Sequence, residues 1–240
     1  MLVELLVVGS GSEASLIMSM LEVSEPSVRR VSYIDARIDT DDDGTPPHDG
    51  VGDMTFRGCG LTTLFKGSLG QFLAEDDLHS YDYHIVRGIG DNLAWYKACE
   101  LLKENGFSSY KAVWADDSYD RYRLSRDVKV GGSVIHHGVH LGDRSQVGDG
   151  CIINTRAVIE HDVVVGDGVF IGPGAILCGG VRVEDYAFIG AGVIVAPGLT
   201  IGEWSYACAG TTVIRNVDDG ERIRIEHPPY PGINMNRPLR

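Results

Sequence analysis

The chain has 240 residues, of which 43% are hydrophobic, so it is long enough for two modest domains that each bury a core. Its formal net charge of −13 argues against nucleic acid as a partner, because phosphate backbones are bound by basic surfaces. It has no apolar run of membrane-spanning length, no basic segment before its first strand and five cysteines without CxxC spacing, so we expect a cytoplasmic protein with reduced cysteines and no membrane partner.

The first predicted elements have the order of a nucleotide-binding βαβ unit. An apolar strand, Leu2–Val8, is followed by a turn at Gly9–Ser12, a helix over Glu13–Leu21 and a second strand, Val31–Asp35, that ends in an acid. Glycines allow a backbone to approach a phosphate at a helix N-terminus, and the acid can bind ribose hydroxyls. Since the turn lacks the third glycine of the full motif, an ordinary strand-to-helix turn is the alternative. The candidate substrate-binding residues of this unit are Gly9, Ser10, Gly11 and Asp35.

A second glycine turn, Gly88–Asn92, follows another short strand. Turns at the carboxyl ends of adjacent parallel strands face the same crevice, which makes Gly90 a further candidate for substrate binding. The acids between Asp39 and Gly60 favour a solvated loop over a metal site, and we expect no metal. The other predicted elements of this half are the strand Tyr83–Val86, the helix Leu93–Lys103 and a last strand, Lys111–Ala115.

From residue 135 onward an aliphatic side chain recurs at every sixth position. The period fits neither a helix nor a regular strand, but it fits a short strand followed by a turn. Six glycines directly follow an aliphatic position, where the backbone must bend. The pattern predicts a parallel β-helix in which three hexads form one triangular coil, with four to five coils in all. The repeated positions are Ile135, Leu141, Val147, Ile153, Ile159, Val165, Ile171, Leu177, Val183, Ile189, Val195, Ile201, Ala207 and Val213.

Such a rod leaves its outer faces to be covered by something else. Apolar residues directly before the repeated positions are predicted to point outward, and an exposed stripe of that kind marks an interface. We therefore expect a trimer with three β-helices side by side. The outward apolar residues include Ile152, Val158, Val164, Ile176 and Ile194.

The stretch Ile153–Asp162, followed by Val165-Gly166-Asp167, resembles the signature of the sialic-acid O-acetyltransferase and bacillosamine-type sugar N-acetyltransferase family. The resemblance implies an α/β Rossmann-like N-terminal domain followed by an all-β left-handed parallel β-helix of hexapeptide repeats. It also implies a homotrimer, acetyl-CoA as co-substrate between neighbouring β-helices, and a nucleotide-linked amino sugar as acceptor. On this basis the chain divides into a Rossmann-like nucleotide-sugar-binding domain (1–125), a left-handed β-helix acyltransferase domain (126–216) and an extended C-terminal tail (217–240).

The resemblance also implies that His161 is the catalytic base and that Asp162 is its neighbouring acid. The chemistry agrees, because a protonated amine must lose a proton before it attacks a thioester, and imidazole titrates in the right range. His161 lies two residues past the inward Ile159, at a turn, so it should point outward. Gly179 follows one coil of 18 residues later and is the candidate backbone donor to the developing oxyanion. Asn154, in the same signature, is a candidate for substrate binding.

Acetyl-CoA is expected along the later coils, where small residues let the pantetheine lie against the backbone. No lysine follows Lys129, so the CoA phosphates must rely on arginines near the C-terminal end. The candidate acetyl-CoA residues are Gly179, Gly190, Ala191, Ala209 and Arg215, with Arg222 and Arg224 as further phosphate ligands.

One departure from the family concerns Phe170. Family members frequently carry a second histidine nine residues after the first, and phenylalanine cannot form its hydrogen bonds. The acceptor sugar, its nucleotide and the acyl group therefore stay open, as does O-acetylation instead of N-acetylation. A catalytically inactive β-helix that serves as a binding or scaffold protein is a further alternative. A γ-carbonic-anhydrase-type hydratase is disfavoured, because the spacing of His136, His137, His140 and His161 places them at different corners.

Overall fold

The computed structural model of the chain describes residues 3–9, 17, 30–35, 62–75, 82–110, 112–115 and 126–224. Several predicted features lie outside these residues: Ser10 and Gly11, most of the helix Glu13–Leu21, the loop Asp39–Gly60 and the end of the C-terminal tail. Asp35 is described only as the last residue of a strand. Within the described ranges no helix is long and apolar enough to span a membrane.

The N-terminal part contains a parallel sheet and two described helices. The elements are β1 (Val3–Val8), β2 (Arg30–Asp35), β3 (Thr62–Ser68), α1 (Leu69–Leu73), β4 (Asp82–Arg87) and α2 (Asn92–Glu104). The strand order is β3-β2-β1-β4. No element was predicted for β3 and α1, although α1 begins with a capping box in which Ser68 and Gln71 exchange hydrogen bonds.

The two glycine turns start side by side at the carboxyl edge of this sheet. β1 and β4 are neighbours, with Val8 opposite Arg87. Gly9, with φ of 141°, follows β1, and Gly88 follows β4. The two glycines lie so close that a Cβ on Gly9 would overlap with the Gly88 carbonyl. This close approach requires glycine at position 9.

Residues 113–115 and 126–223 form a β-solenoid of two-residue strands in three parallel sheets. Sheet 1 contains β5 (Val113–Trp114), β7 (Val134–Ile135), β10 (Ile152–Ile153), β13 (Phe170–Ile171), β16 (Phe188–Ile189), β19 (Tyr206–Ala207) and β21 (Arg222–Ile223). Sheet 2 contains β8 (His140–Leu141), β11 (Val158–Ile159), β14 (Ile176–Leu177), β17 (Ile194–Val195) and β20 (Thr212–Val213). Sheet 3 contains β6 (Lys129–Val130), β9 (Gln146–Val147), β12 (Val164–Val165), β15 (Arg182–Val183) and β18 (Thr200–Ile201).

The aliphatic ladder predicted from the period is confirmed. Every repeated position from Ile135 to Val213 is buried, with exposure of 4% or less. Full burial of such a side chain stabilises the fold by about 1.5–3 kcal/mol. The smaller residues two positions earlier, such as Ala157 and Ala175, are fully buried beside them.

Two predictions about the extent of the solenoid need correction. It has about six turns, because sheet 1 has seven strands, where four to five coils were predicted. The strand Lys111–Ala115 was assigned to the N-terminal half, but its described part, β5, pairs with β7 of the solenoid. At the other end β21 pairs with β19, so strand pairing extends beyond the predicted limits of 126 and 216 on both sides.

A buried arginine fixes the N-terminal sheet to the solenoid. Arg87 is fully buried at the end of β4, and its Nη1 donates hydrogen bonds to the carbonyls of Gly150 (3.0 Å) and Gly168 (2.8 Å). Its Nη2 donates to Asn92 Oδ1 at 2.6 Å, and Asn92 Nδ2 donates in turn to the Tyr186 carbonyl at 2.7 Å. A fully desolvated cation is tolerated here because carbonyl and amide oxygens surround it. The loop after β4 is thereby held at a fixed place beside the coils.

Aromatic rings extend this junction along the same corner of the solenoid. Tyr186 and Trp204 stack with their centroids 4.6 Å apart, and the Tyr96 ring of α2 packs edge-on against both. Both solenoid residues have positive φ, 56° and 57°, at a corner position where other coils use Gly150 and Gly168. Left-handed backbone is unfavourable for residues with a Cβ, so the ring contacts with α2 must offset it.

The outward apolar residues do not all share one surface. Ile152 is fully buried, so its predicted place in an exposed stripe is wrong. Val158, Ile176 and Ile194 follow one another on sheet 2, and Ile194 is 40% exposed. We call these three residues the aliphatic strip.

Candidate active site

His161 lies at the corner between β11 and β12, where sheet 2 gives way to sheet 3, and its side chain is 60% exposed. The chain turns sharply here because Asp162 takes up left-handed backbone with φ of 59°. Nδ1 of His161 is 2.8 Å from Asp162 Oδ2. No hydrogen bond to Nε2 is formed by any residue that the structure describes. The second ring nitrogen is therefore open to a ligand.

Asp162 is clamped from its other side by Arg144, one coil earlier in the chain. Nε of Arg144 donates to Oδ1 at 2.6 Å, and Nη2 donates to Oδ2 at 2.7 Å. The Arg144 hydrogen bonds, followed by that of His161, hold the pKa of Asp162 far below its usual range. Asp162 is thus ionised at all working pH values. Arg144 was not among the predicted site residues, although counting back 18 positions from Asp162 finds it.

The ionised carboxylate determines which nitrogen of His161 carries the proton in the neutral ring. A carboxylate only accepts hydrogen bonds, so Nδ1 must be the donor. Nε2 then holds a lone pair and can accept a proton from a bound substrate. This arrangement has the acid–imidazole geometry of a general base.

The ring of His161 lies over Gly179, as the coil spacing predicted. A Cβ on Gly179 would be 2.5 Å from Nε2 and 2.6 Å from Cε1 of the imidazole. The next residue, Gly180, donates its N–H to the His161 carbonyl at 2.9 Å. No hydrogen bond from the Gly179 N–H is formed within the described ranges. A backbone donor and a basic nitrogen therefore lie next to each other at this corner.

The other predicted acetyl-CoA residues are not all at this corner. Gly190 and Ala191 lie between β16 and β17, and Ala209 lies between β19 and β20, at the corner of sheets 1 and 2. Sheet 2 therefore separates Ala191 and Ala209 from Gly179 within one chain. Ala191 and Ala209 are exposed, whereas Gly190 is buried against the backbone of Ala209.

Arg215 shares the corner of His161 but is already paired. It follows β20 of sheet 2, as His161 follows β11. Its guanidinium donates to both carboxylate oxygens of Glu221, at 2.6 Å and 3.1 Å. The Arg215 hydrogen bonds lower the pKa of Glu221 to about 2, so the pair is ionic near neutral pH. Arg222 and Arg224 are the other two predicted ligands of the CoA phosphates. Arg222 stacks over Tyr206 with Cζ 4.2 Å from the ring centroid, and Arg224 is exposed.

Two of the predicted substrate residues, Asn154 and Gly90, lie away from His161 in the same chain. Asn154 is at the corner of sheets 1 and 2, where its Oδ1 accepts the Thr155 N–H at 2.7 Å. A Cβ on Gly90 would be 3.9 Å from the Phe170 ring, so the second glycine turn lies beside sheet 1. Sheet 1 is opposite the His161 corner in a coil of three sheets. Phe170 lies nine positions after His161, which is half of an 18-residue coil, so these two side chains leave opposite sides of the solenoid.

Phe170 begins a column of stacked rings on sheet 1. Phe170 and Phe188 are 4.7 Å apart with their planes at 3°, and Phe188 and Tyr206 are 4.4 Å apart at 5°. We call these three residues the aromatic strip. Among the residues that the structure describes, no group of three or more His, Cys, Asp or Glu side chains is placed to hold a metal ion.

Two family profiles match the repeats. The profile described as bacterial transferase hexapeptide (six repeats) matches residues 144–179, and the hexapeptide repeat of succinyl-transferase matches residues 162–197. No curated protein matches the chain significantly.

Solved structures match over nearly the whole chain. PerB from Caulobacter crescentus, in complex with CoA and GDP-perosamine, is 27% identical, with 90% of this chain and 91% of that chain covered and a TM-score of 0.63. A mutant of that GDP-perosamine N-acetyltransferase with one histidine replaced by alanine, also with CoA and GDP-perosamine, is 25% identical, covers 91% and 92%, and has a TM-score of 0.64.

A third structure shares the fold at lower identity. The acetyltransferase domain of PglB from Neisseria gonorrhoeae, in complex with acetyl coenzyme A, is 21% identical, with 91% of this chain and 94% of that chain covered and a TM-score of 0.66. The hexapeptide repeats, the solenoid and these likenesses agree with the resemblance found in the sequence. The repeats thus match profiles of hexapeptide transferases, and the solved structures that the chain resembles include a GDP-perosamine N-acetyltransferase.

Proposed function

We propose that the chain transfers the acetyl group of acetyl-CoA to the amino group of a nucleotide-linked amino sugar, with Nε2 of His161 as the general base. The observation that carries the proposal is the imidazole of His161, held by an ionised Asp162 and lying over Gly179 with Nε2 open. The Caulobacter structures in complex with CoA and GDP-perosamine, one of them a histidine mutant, support it. We place the reaction in the cytoplasm.

The reaction is a direct attack of the amine on the thioester. Nε2 takes a proton from the sugar nitrogen as the new C–N bond forms, and the carbonyl oxygen gains negative charge in the tetrahedral intermediate. The N–H of Gly179 donates a hydrogen bond to that oxygen. The C–S bond then breaks, and the imidazolium returns its proton to the leaving CoA thiolate. His161 ends the cycle neutral.

The N-terminal sheet is, in this proposal, a Rossmann-like domain that binds the nucleotide. Its strand order β3-β2-β1-β4 is that of a βαβ nucleotide-binding half, and the glycine turns after β1 and β4 meet at its carboxyl edge. Gly9, Ser10 and Gly11 would lie near a phosphate, Asp35 near a ribose, and Gly90 and Asn154 near the sugar.

In this proposal the chain is a homotrimer, which brings the acceptor held at Gly90 of one copy to the His161 corner of another. Within one chain Gly90 and Phe170 lie on the side opposite His161, so an acceptor held at Gly90 can reach His161 only on a second copy. The aliphatic strip on sheet 2 and the aromatic strip on sheet 1 are two different apolar surfaces. Contact between unlike surfaces closes into a ring when the rotation allows it. In such a ring Gly179 of one copy and Ala191 of the next can line one acetyl-CoA.

The test is an acceptor assay with acetyl-CoA, GDP-perosamine, a UDP-linked amino sugar and the hydroxyl counterpart of each. We expect mass spectrometry to find one added acetyl group on an amino sugar with the wild-type chain and little with H161A. Acetylation of the hydroxyl counterparts would replace the N-acetyl proposal with O-acetylation. Binding of CoA without turnover of any acceptor would favour a binding protein and overturn the proposal.

A further inference from the structure

We infer that Arg144 is a positioning residue for the proposed acetyl transfer. It fixes the Asp162 carboxylate so that His161 keeps its proton on Nδ1 and presents an unprotonated Nε2. The inference rests on the proposed function for its effect on turnover, but its effect on the imidazole can be measured without any substrate.

Three short contacts connect Arg144, Asp162 and His161. Arg144 holds both oxygens of Asp162, at 2.6 Å and 2.7 Å, and Oδ2 also contacts His161 Nδ1 at 2.8 Å. A bidentate guanidinium fixes the plane of a carboxylate, which a single charge cannot do. Because Oδ2 is shared, the plane that Arg144 sets also sets the direction in which Nδ1 must donate.

The backbone gives a second, independent reason. Arg144 and Asp162 both have φ of 59° at the same position of consecutive coils. The corresponding residues of the next two coils are Gly180 and Gly198, with φ of 73° and 70°. Glycine takes up this conformation without cost, whereas residues with a Cβ do not. Two charged residues therefore stand where the fold by itself favours glycine.

A purely stabilising ion pair explains the arrangement poorly. The side chains of Arg144 and Asp162 are 55% and 44% exposed. Exposed ion pairs typically contribute little to stability, because solvent screens the charges and both side chains lose conformational freedom. The gain from this pair lies in the orientation of the neighbouring imidazole.

The experiment compares R144Q and R144K with a matched control, R156Q. Arg156 has the same left-handed backbone, with φ of 57°, and is exposed at the corner of sheets 1 and 2. We expect R144Q to lower kcat by about 10- to 100-fold, as loss of a residue that orients a functional histidine does. The KM for acetyl-CoA and the Tm should stay near wild type, R144K should recover part of kcat, and R156Q should behave as wild type.

The second measurement is the ¹⁵N spectrum of the His161 imidazole, which reports the tautomer directly. We expect the wild-type and R156Q rings to carry the proton on Nδ1, and R144Q to give a mixture of tautomers. An unchanged tautomer and unchanged kcat in R144Q would overturn the inference, as would a Tm loss that accounts for the loss of kcat. If R144Q fails to fold, R144K carries the same test. If the wild-type chain acetylates no acceptor, the proposed function fails, while the spectrum still decides the role of Arg144.

Discussion

The backbone of Gly179 lies against the imidazole of His161, with room for a hydrogen atom but not for a methyl group. A Cβ there would be 2.5 Å from Nε2 and 2.6 Å from Cε1. The contact follows from the coil length, since the two residues are 18 positions apart and stack at the same corner. It makes Gly179 a direct test of where the ring must lie during catalysis.

We expect G179A to lower kcat without unfolding the chain. The added methyl group meets the end of an exposed side chain, so the ring can swing away at little cost in stability. The check is a double-mutant cycle with H161A, measured as kcat. In the H161A background, which has no imidazole, G179A should not lower kcat further. Equal losses in both backgrounds would mean that Gly179 acts only through its own N–H or the backbone.

Replacement of His161 by alanine should lower kcat by about 10² to 10⁴, the usual range for general-base assistance. The proposed trimer and acetyl-CoA binding should persist, because the side chain projects from a corner and supports no core. D162N should cost less, since the imidazole remains. Near wild-type turnover of H161A with the true acceptor would mean that the amine arrives deprotonated or that another group is the base.

The cysteines should report acetyl-CoA binding. Burial raises the pKa of Cys99 and of Cys151 to about 11, so both should resist alkylation at pH 8 until the chain unfolds. Cys178 is partly exposed and directly precedes Gly179. We expect N-ethylmaleimide to modify Cys178 in the native protein, and saturating CoA to slow that reaction, as followed by peptide mass spectrometry. An unchanged rate with CoA would argue against the predicted position of the pantetheine.

Glu221 should compete with the CoA phosphates for Arg215. The pair is exposed and bidentate, and a phosphate must displace the carboxylate to bind the guanidinium. We expect E221Q to tighten acetyl-CoA binding by about 2- to 5-fold, the range of an exposed ion pair, and to make it more sensitive to salt. Titration calorimetry at two salt concentrations measures both, with E203Q as a control at another corner. If R215A, R222A and R224A together leave the affinity and its salt dependence unchanged, Arg215 is not a phosphate ligand.

A charge in the aliphatic strip should break the proposed trimer. Ile194 is 40% exposed on sheet 2, and a buried carboxylate there would lose its hydration without a partner. We expect I194E to sediment as a smaller species at micromolar concentration while keeping its solenoid circular dichroism. Leu93, which is 53% exposed on α2, provides the matched control L93E. A wild-type chain that sediments as a monomer would contradict the trimer itself.

The regular part of the fold could be predicted because each coil of the solenoid places equivalent residues in equivalent surroundings. One period located the buried ladder, and a shift of 18 residues located Gly179 under His161. The ends could not be found in this way, since the spacing between paired strands changes there. Val113 pairs with Val134, 21 positions later, and Tyr206 pairs with Arg222, 16 positions later.

The hydrogen-bond partners of individual side chains were harder to predict than the positions of residues along the coils. Arg144 at an exposed corner looks like any solvated arginine, and only its register with Asp162 reveals the ion pair. Arg87 looks like a charged residue at a strand end, because its carbonyl partners come from coils more than 60 positions away. A single sequence carries no local signal for contacts of either kind.

The carbonyls that Arg87 reaches, Gly150 and Gly168, belong to successive coils, so the N-terminal sheet is aligned with the repeat of the solenoid. The ring contacts of α2 with the solenoid reach as far as Trp204. Repeats added after that point would leave the Arg87 contacts and the position of Gly90 beside Phe170 unchanged. Six residues inserted between Gly150 and Gly168 would instead move one of their two carbonyls to a different face of the solenoid, away from Arg87. The architecture thus permits growth at its C-terminal end and forbids it at the junction.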